Sequence, residues 1–216
     1  DLVFSETEAL DIFGHYVYAF AGAEFPWQFH REAARIAWDE ARHVELLLNV
    51  LERYNGTVGE FAAKAPGYEE YIRQQGPLEK LIMVNVIAEG EVSTDTQTQH
   101  RDAFRELGDE LSALLKDYEM ADEVVHGRFG LKWAHWLAER TGQDYAPAYD
   151  RASKGLEEFK SQHDDTGAES PIPLVRLGID ETGAKRVMNL AAKRLVGFSD
   201  EEIARIREQA GSTVDQ

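Results

Sequence analysis

The sequence contains no cysteine among its 216 residues. This absence excludes a disulfide framework, a cysteine-ligated zinc or iron–sulfur site, a rubredoxin-type iron centre and a cysteine nucleophile. Positive charge is also scarce, because 23 Lys and Arg stand against 40 Asp and Glu and give a formal net charge of −17. Such a charge repels the phosphates of DNA and RNA, so we expect no nucleic-acid partner.

Long apolar runs are missing as well. No run approaches the roughly 20 residues that a membrane span requires, so we expect no membrane-embedded segment. The first residues, Asp1-Leu2-Val3-Phe4, lack an initiator Met and the regions of a signal peptide, which predicts a trimmed chain and a cytoplasmic location. A chain of this length can bury a substantial core as one large domain, or as one domain with an appendage.

Helical periodicity covers the first two thirds of the chain. It predicts four long helical segments at 2–20, 26–54, 77–107 and 109–139, which turn signals separate. The inward face of the first segment has apolar and acidic residues at helical spacing: Leu2, Glu6, Leu10, Phe13, Val17 and Phe20. The inward face of the second segment is Phe29, Ala33, Ile36, Glu40, His43, Leu47 and Val50.

The connections between these segments predict an all-α fold. Short turns join the first segment to the second and the third to the fourth, so each pair should form an antiparallel hairpin. The link at 55–76 is long enough to run back along a helix of about 45 Å, which makes the second and third segments parallel. Residues 1–140 are therefore predicted to form a four-helix bundle with one long crossover.

Residues 141–216 are predicted to be a C-terminal helical extension packed on the bundle. Helical patterns occur at 144–162 and 182–195, and a loop rich in Gly and Pro is expected at 164–173. A last helix begins at Ser199, and Glu202 completes a capping box one turn later.

Two copies of one motif carry the chemistry. The first is Asp39-Glu40-Ala41-Arg42-His43 in the second segment, and the other is Asp122-Glu123-Val124-Val125-His126 in the fourth. Glu and His at positions i and i+3 share one helical face, so each pair can bind a metal from one side. In both segments that face is the apolar one, where a carboxylate and an imidazole are costly to bury unless they are paired or bind a metal.

Each motif has a matching upstream glutamate. The step along the chain from Glu6 to Glu40 equals the step from Glu89 to Glu123, so the glutamates repeat at the same offset as the motifs. Residues equidistant from the turn of an antiparallel hairpin sit at the same height, so each upstream glutamate should face its partner. Four carboxylates and two imidazoles would then converge at the middle of the bundle, as expected for a pair of metals. Oxygen and nitrogen donors without thiolate favour iron or manganese.

The residues leave some assignments open. Glu8 and Glu91 also precede the same two partners by equal steps, so they are alternatives to Glu6 and Glu89, although the helical faces favour the latter pair. Glu119 lies one turn before Glu123 and is a candidate for an extra carboxylate ligand. Arg42 is interpreted either as a structural salt-bridge partner or as a clamp for a substrate carboxylate.

The repeated Glu and Asp-Glu-x-x-His pattern resembles the ferritin-like di-metal carboxylate superfamily, which includes ferritins, rubrerythrins, the ribonucleotide reductase small subunit and bacterial di-iron oxygenases. More narrowly, the stretches 6–11, 36–43, 89–91 and 122–126 resemble a bacterial ferritin-like family of unknown function. The resemblance implies a ferritin-like bundle that holds two iron ions, or a manganese–iron pair.

The resemblance also implies a role for each candidate ligand. Glu40 and Glu123 would bridge the metals as the catalytic carboxylates, His43 and His126 would bind one metal each, and Glu6 and Glu89 would be terminal ligands. The preceding aspartates would orient the imidazole of the opposite hairpin, Asp39 acting on His126 and Asp122 on His43.

We therefore expect a non-haem di-iron oxygenase or oxidase that activates dioxygen to oxidise or hydroxylate a small organic substrate. It would need an external electron donor, and a homodimer is compatible with the sequence. One alternative is a ferroxidase or peroxide-handling ferritin-like protein, although the long extension is unlike a ferritin cage subunit and the missing cysteines are unlike a rubrerythrin. A second alternative is a non-catalytic helical interaction protein with a structural metal.

Overall fold

The computed structural model describes residues 2–21, 25–60, 68–163, 187–210 and 214–215. These residues are almost entirely helical, which confirms the predicted all-α class. In chain order the elements are α1 (Leu2–Ala19), α2 (Trp27–Arg53), α3 (Tyr68–Gln74), α4 (Pro77–Lys80), the π-helix π1 (Leu81–Ser93), α5 (Thr94–Glu106), α6 (Glu110–Thr141), α7 (Tyr145–His163), β1 (Val187–Met188), α8 (Leu190–Val196), α9 (Asp200–Ala210) and β2 (Val214–Asp215).

The chain divides into two compact units. Unit 1 is residues 1–80 and contains α1 to α4, and unit 2 is residues 81–216 and contains the elements from π1 onward. These compact units do not correspond to the predicted bundle at 1–140 and extension at 141–216. That domain boundary stays a prediction. No helix among the described residues is long and apolar enough to cross a membrane.

Unit 1 is built on an antiparallel hairpin of α1 and α2. The rings of Phe20 and Phe29 lie 5.1 Å apart near the turn, while Glu6 and His43 approach to 3.4 Å far from it. Both pairs are equidistant from the same point in the chain, as an antiparallel pair requires. Within the predicted turn, residues 22–24 lie outside the described residues.

The apolar face of α2 is placed as the sequence predicts, whereas that of α1 is rotated. Every residue of the predicted α2 stripe is buried. On α1 the predicted Val17 is exposed, and Ile12 and Tyr16 are buried instead, because an aromatic cluster with Phe13 and Phe20 sets the orientation of the helix. The Tyr16 hydroxyl also donates to the Lys80 carbonyl at 2.6 Å.

The predicted link at 55–76 contains a helix that the sequence did not indicate. Residues 68–74 form α3, which packs on α1 within unit 1. Ile72 is fully buried there. Residues 61–67 of the link lie outside the described residues.

Unit 2 is built on a second antiparallel hairpin, in which π1 and α5 pack along α6. Arg101 of α5 pairs with Asp117 at 3.3 Å. The turn between α5 and α6 contains Gly108 at a φ of 77°, and the Asp109 side chain caps α6 by accepting from the Ser112 amide at 3.1 Å. The predicted break between the third and fourth segments is confirmed.

The segment at 81–93 is a π-helix, where the sequence predicted continuous α-helix. A π-helix closes its hydrogen bonds from i to i+5, is rare, and often marks a functional site. Its backbone approaches α6 closely through glycines. A Cβ added to Gly127 would lie 2.9 Å from Gly90 Cα, so position 127 needs to lack a side chain for the two helices to pack this way.

The C-terminal helices of unit 2 pack on its hairpin. α7 contacts π1, and α8 contacts both α6 and π1. The predicted capping box is confirmed, since the Ser199 amide donates to the Glu202 carboxylate at 2.8 Å. The predicted helix at 182–195 begins only at Leu190, where the Asn189 side chain caps it. The predicted loop at 164–173 and residues 182–186 lie outside the described residues.

The four tryptophans differ in exposure between the units. In unit 1, Trp27 and Trp38 are 78% and 64% exposed. In unit 2, Trp133 is buried and Trp136 is half-buried, with their rings 5.6 Å apart.

Candidate metal centre

Unit 1 brings three of the predicted ligands together. Glu6 of α1 and Glu40 and His43 of α2 are buried, and each offers a ligand atom within 4.8 Å of the others. His43 Nδ1 lies 3.4 Å from Glu6 Oε2 and 3.3 Å from Glu40 Oε2. We call these three residues the first triad.

Unit 2 repeats the arrangement with the residues of the second motif. Glu89 of π1 and Glu123 and His126 of α6 are buried. His126 Nδ1 lies 3.5 Å from Glu89 Oε2 and 3.5 Å from Glu123 Oε2. This second triad uses the same imidazole nitrogen and the same kinds of carboxylate as the first.

The donor set of each triad fits a divalent metal ion. Metal–ligand bonds of about 2.1 Å at right angles separate neighbouring ligand atoms by roughly 3.0 Å. In both triads the imidazole nitrogen lies slightly farther than this from each carboxylate oxygen, at 3.3–3.5 Å. Two carboxylates and one imidazole are ligands that iron and manganese accept. A cation would also balance carboxylates that are otherwise expensive to bury.

The electrostatics of the second triad reflect this crowding. Burial, and next the neighbouring Glu89 carboxylate, raise the pKa of Glu123 well above its usual value. Like charges held close together disfavour ionisation, and a bound cation reverses that effect.

The structure separates the two sets of upstream glutamates. Glu6 and Glu89 lie in the triads, whereas Glu8 is only partly buried. Glu91 is buried, but on the other face of π1, where the Tyr149 hydroxyl donates to its two carboxylate oxygens at 2.8 and 2.9 Å. Burial raises the pKa of Glu91 to about 7.

A family model described as "Protein of unknown function (DUF455)" matches residues 2–164. The chain belongs to this family. Among the curated proteins and the solved structures, no match was found. The part of the chain that matches DUF455 contains all six residues of the two triads and ends before α8.

The aspartates of the two motifs differ in their surroundings. Asp39 is fully buried and accepts hydrogen bonds from Arg35 Nε at 2.9 Å and from Arg42 Nη2. Arg42 is thus a salt-bridge partner, the structural one of its two interpretations. Asp122 is partly buried. The orientation of His126 by Asp39 and of His43 by Asp122 stays a prediction.

Glu119 is fully buried and forms an ion pair with Lys116, which is itself buried. Lys116 contacts Glu119 Oε2, and Glu119 Oε1 has no hydrogen-bond partner among the residues that the structure describes. The lysine already balances the charge of this carboxylate, so Glu119 does not need a metal to be buried.

Sequence reasoning missed two buried polar residues of unit 2. Asn85 is fully buried on π1, and neither atom of its amide has a partner in the described part of the chain. Lys193 is fully buried on α8. The available signals were an Asn inside the apolar run at 81–88 and a Lys flanked by Ala192 and Val196 on the buried face of a short helix.

Proposed function

We propose that the protein is a di-metal carboxylate oxidoreductase that activates dioxygen to oxidise or hydroxylate a small organic substrate. The observation that carries this proposal is the repeated triad, in which two carboxylates and an imidazole Nδ1 are gathered twice with nearly the same spacing. A single buried Glu-His pair is common, whereas a duplicated set in equivalent positions of two hairpins is expected of a paired metal site.

The proposal includes a finer fold and a ligand assignment. The two hairpins would pair as a ferritin-like four-helix bundle, so that the triads serve one pair of iron ions or a manganese–iron pair. Glu40 and Glu123 would be the shared carboxylates. When bound, such metals supply the redox and Lewis-acid chemistry that amino-acid side chains lack.

The chain's own contribution is to fix the ligands and to exclude water. Each histidine is held by its helix beside a glutamate one turn away, and the second glutamate comes from the packed partner helix. All six side chains belong to buried residues. A dry site strengthens electrostatic interactions and limits side reactions of activated oxygen.

Asn85 supports a site that receives a polar molecule. It lies one turn before Glu89 on π1 and beside Gly130, which is one turn after His126 on α6. Its unpartnered amide can donate and accept a hydrogen bond, so a substrate oxygen or an ordered water would satisfy it.

Metal analysis of the purified protein tests the proposal directly. We expect about two metal ions per chain after anaerobic loading with ferrous iron, and loss of both in a Glu40→Gln, Glu123→Gln double variant. Glu8→Gln is the matched control and should keep the metal. A wild-type protein that binds neither iron nor manganese under reducing conditions would refute the proposal.

Oxygen consumption then separates the catalytic possibilities. We add dioxygen to the ferrous protein with varied free ferrous iron, and supply a chemical reductant only together with the organic substrate. Many turnovers of free iron per chain would identify a ferroxidase and contradict the proposal. Oxidation limited to the bound iron, with further oxygen uptake only when an organic substrate is supplied, is the expected result.

A further inference from the structure

Lys193 of α8 is fully buried and makes three hydrogen bonds to the junction of π1 and α5. Its Nζ donates to the Glu91 carbonyl oxygen at 2.6 Å, to Thr94 Oγ1 at 2.6 Å and to Asp95 Oδ1 at 2.8 Å. All three acceptors lie in one short stretch, 91–95. A buried ammonium is strongly unfavourable unless it is paired in this way.

The junction is where a π-helix needs outside donors. When hydrogen bonding changes from i→i+5 to i→i+4, one carbonyl oxygen at the end of the π-helix is left without a backbone N–H. Here Lys193 Nζ serves the Glu91 carbonyl, and Thr94 Oγ1 donates to the Gly90 carbonyl at 3.0 Å. Lys193 therefore supplies a side-chain donor to a backbone carbonyl at this junction.

The end of α8 fills a notch behind the second triad. The notch is formed by Gly90 and Gly127, which directly follow Glu89 and His126 in sequence. A Cβ on Gly127 would lie 2.9 Å from Val196 Cγ1, and a Cβ on Gly90 would lie 3.2 Å from Phe198 Cζ. Residues 189–198 thus pack against the backbone of Gly90 and Gly127, the residues that follow the ligands Glu89 and His126.

The same segment is tied to α5 at its start. The Asn189 amide N–H donates to Asp95 Oδ1 at 2.8 Å, and Asn189 Nδ2 donates to Thr98 Oγ1 at 2.9 Å. Asp95 therefore joins two donors of one segment, Lys193 and Asn189. The contacts fix residues 189–198 on π1 and α5 from one end of the segment to the other.

We propose that residues 189–198 form a brace, with Lys193 as its positioning residue, which holds π1 in its π-helical register and thereby holds Glu89 against His126. This inference rests on the proposed metal site for its functional meaning. A one-residue change of register turns a helical side chain by roughly 100°, which is enough to remove Glu89 from the triad. The brace lies outside the region that matches DUF455.

Substitution of Lys193 tests the brace. We expect Lys193→Met to weaken binding of one of the two metals by roughly 10- to 100-fold, the usual effect of losing a group that orders a ligand. Lys193→Arg keeps a charged donor and should restore part of that affinity. Arg194→Met changes the exposed neighbouring residue of the same helix and should bind both metals as the wild type does.

Lys193→Met leaves the Asp95 carboxylate buried without its ammonium partner, which could unfold the protein. A double variant distinguishes this outcome from a specific loss of metal affinity. Lys193→Met, Asp95→Asn removes both charges and should fold while still losing metal affinity. Wild-type affinity for both metals in either folded variant would overturn the proposal.

Amide hydrogen exchange provides a readout that needs no metal. Without added metal, Lys193→Met should speed exchange at 81–93 well beyond any change in α1 of unit 1. Exchange at 81–93 that equals that of the wild type would overturn the brace.

Glu89→Gln separates the two proposals. If Glu89→Gln loses a metal and Lys193→Met keeps both, the proposal for the brace is wrong and the proposal for the metal site stands. If the wild type binds no metal while exchange at 81–93 responds to Lys193→Met, the proposal for the metal site is wrong, and the brace holds π1 without serving a metal.

Discussion

At the scale of single residues, the two motifs have diverged around a shared set of ligands. Asp39 accepts hydrogen bonds from Arg35 and Arg42. The positions equivalent to Arg35 and Arg42 around the second motif are Tyr118 and Val125. The negative charge of Asp39 is thus neutralised by side chains that the second motif lacks. We conclude that the two triads share their donors and differ in the charges around them.

His100 gives a prediction at the same scale. Burial, and next the nearby Lys116, lower the pKa of His100 from 6.5 to about 4. The folded protein therefore holds this imidazole neutral, while the unfolded chain takes up a proton below pH 6.5. The stability contribution is complete above pH 6.5 and is lost as the pH falls towards 4.

As the pH is lowered, we expect the free energy of unfolding to fall less in the His100→Asn variant than in the wild type. The difference should grow between pH 6.5 and pH 4 and reach roughly 3 kcal/mol at most, since one pKa unit corresponds to about 1.4 kcal/mol. Urea unfolding at pH 7 and pH 4.5 measures this. A gap between the two proteins that stays constant across the two pH values would contradict the prediction.

At the scale of elements, the close approach of π1 to α6 depends on glycine. A Cβ added to Gly130 would lie 2.8 Å from the Asn85 carbonyl carbon and 3.0 Å from the Val86 nitrogen. Those atoms belong to the backbone and cannot rotate away. Gly14, on the exposed side of α1, has no atom within 4 Å of its added Cβ.

We predict opposite effects of alanine at these two glycines. Gly130→Ala should destabilise the protein by about 1–3 kcal/mol, because the helices must separate. Gly14→Ala should stabilise it by roughly 0.5–1 kcal/mol, because alanine loses less backbone entropy in a helix. Thermal unfolding of both variants checks the signs, and a stabilising Gly130→Ala would show that the two helices are not held so closely.

The elements also show how far a sequence can be read. The α2 stripe, the breaks between segments and the placement of Glu6 and Glu89 follow from three- and four-residue spacing, because burial has that period. The π-helix at 81–93 could not be predicted in this way. Its residues are apolar on nearly all sides, and a π-helix differs from an α-helix in its backbone hydrogen bonds. The sequence could indicate that Lys193 is buried, but its partners could not be predicted, because they lie far earlier in the chain.

At the scale of the whole molecule, each unit holds a complete triad. Metal binding should therefore stabilise both units. A ligand that binds only the folded state contributes about 2.7 kcal/mol when its free concentration is 100 times its dissociation constant.

We expect removal of metal by a chelator to lower the Tm by about 5–10 °C, since 1 kcal/mol shifts the Tm of a protein of this size by roughly 2–4 °C. Scanning calorimetry with and without the chelator measures the shift. The Glu40→Gln, Glu123→Gln variant should show no response to the chelator. A chelator effect of equal size in that variant would place the metal elsewhere.

The distribution of tryptophan gives each unit its own optical signature. The indoles of unit 1 face water, so we expect their fluorescence to lie at longer wavelength and to be quenched by dissolved quenchers. In unit 2 the Trp133 indole is buried and that of Trp136 is half-buried, so we expect their emission at shorter wavelength. Because the four tryptophans are divided two and two, the emission spectrum reports on the two units separately without any added dye.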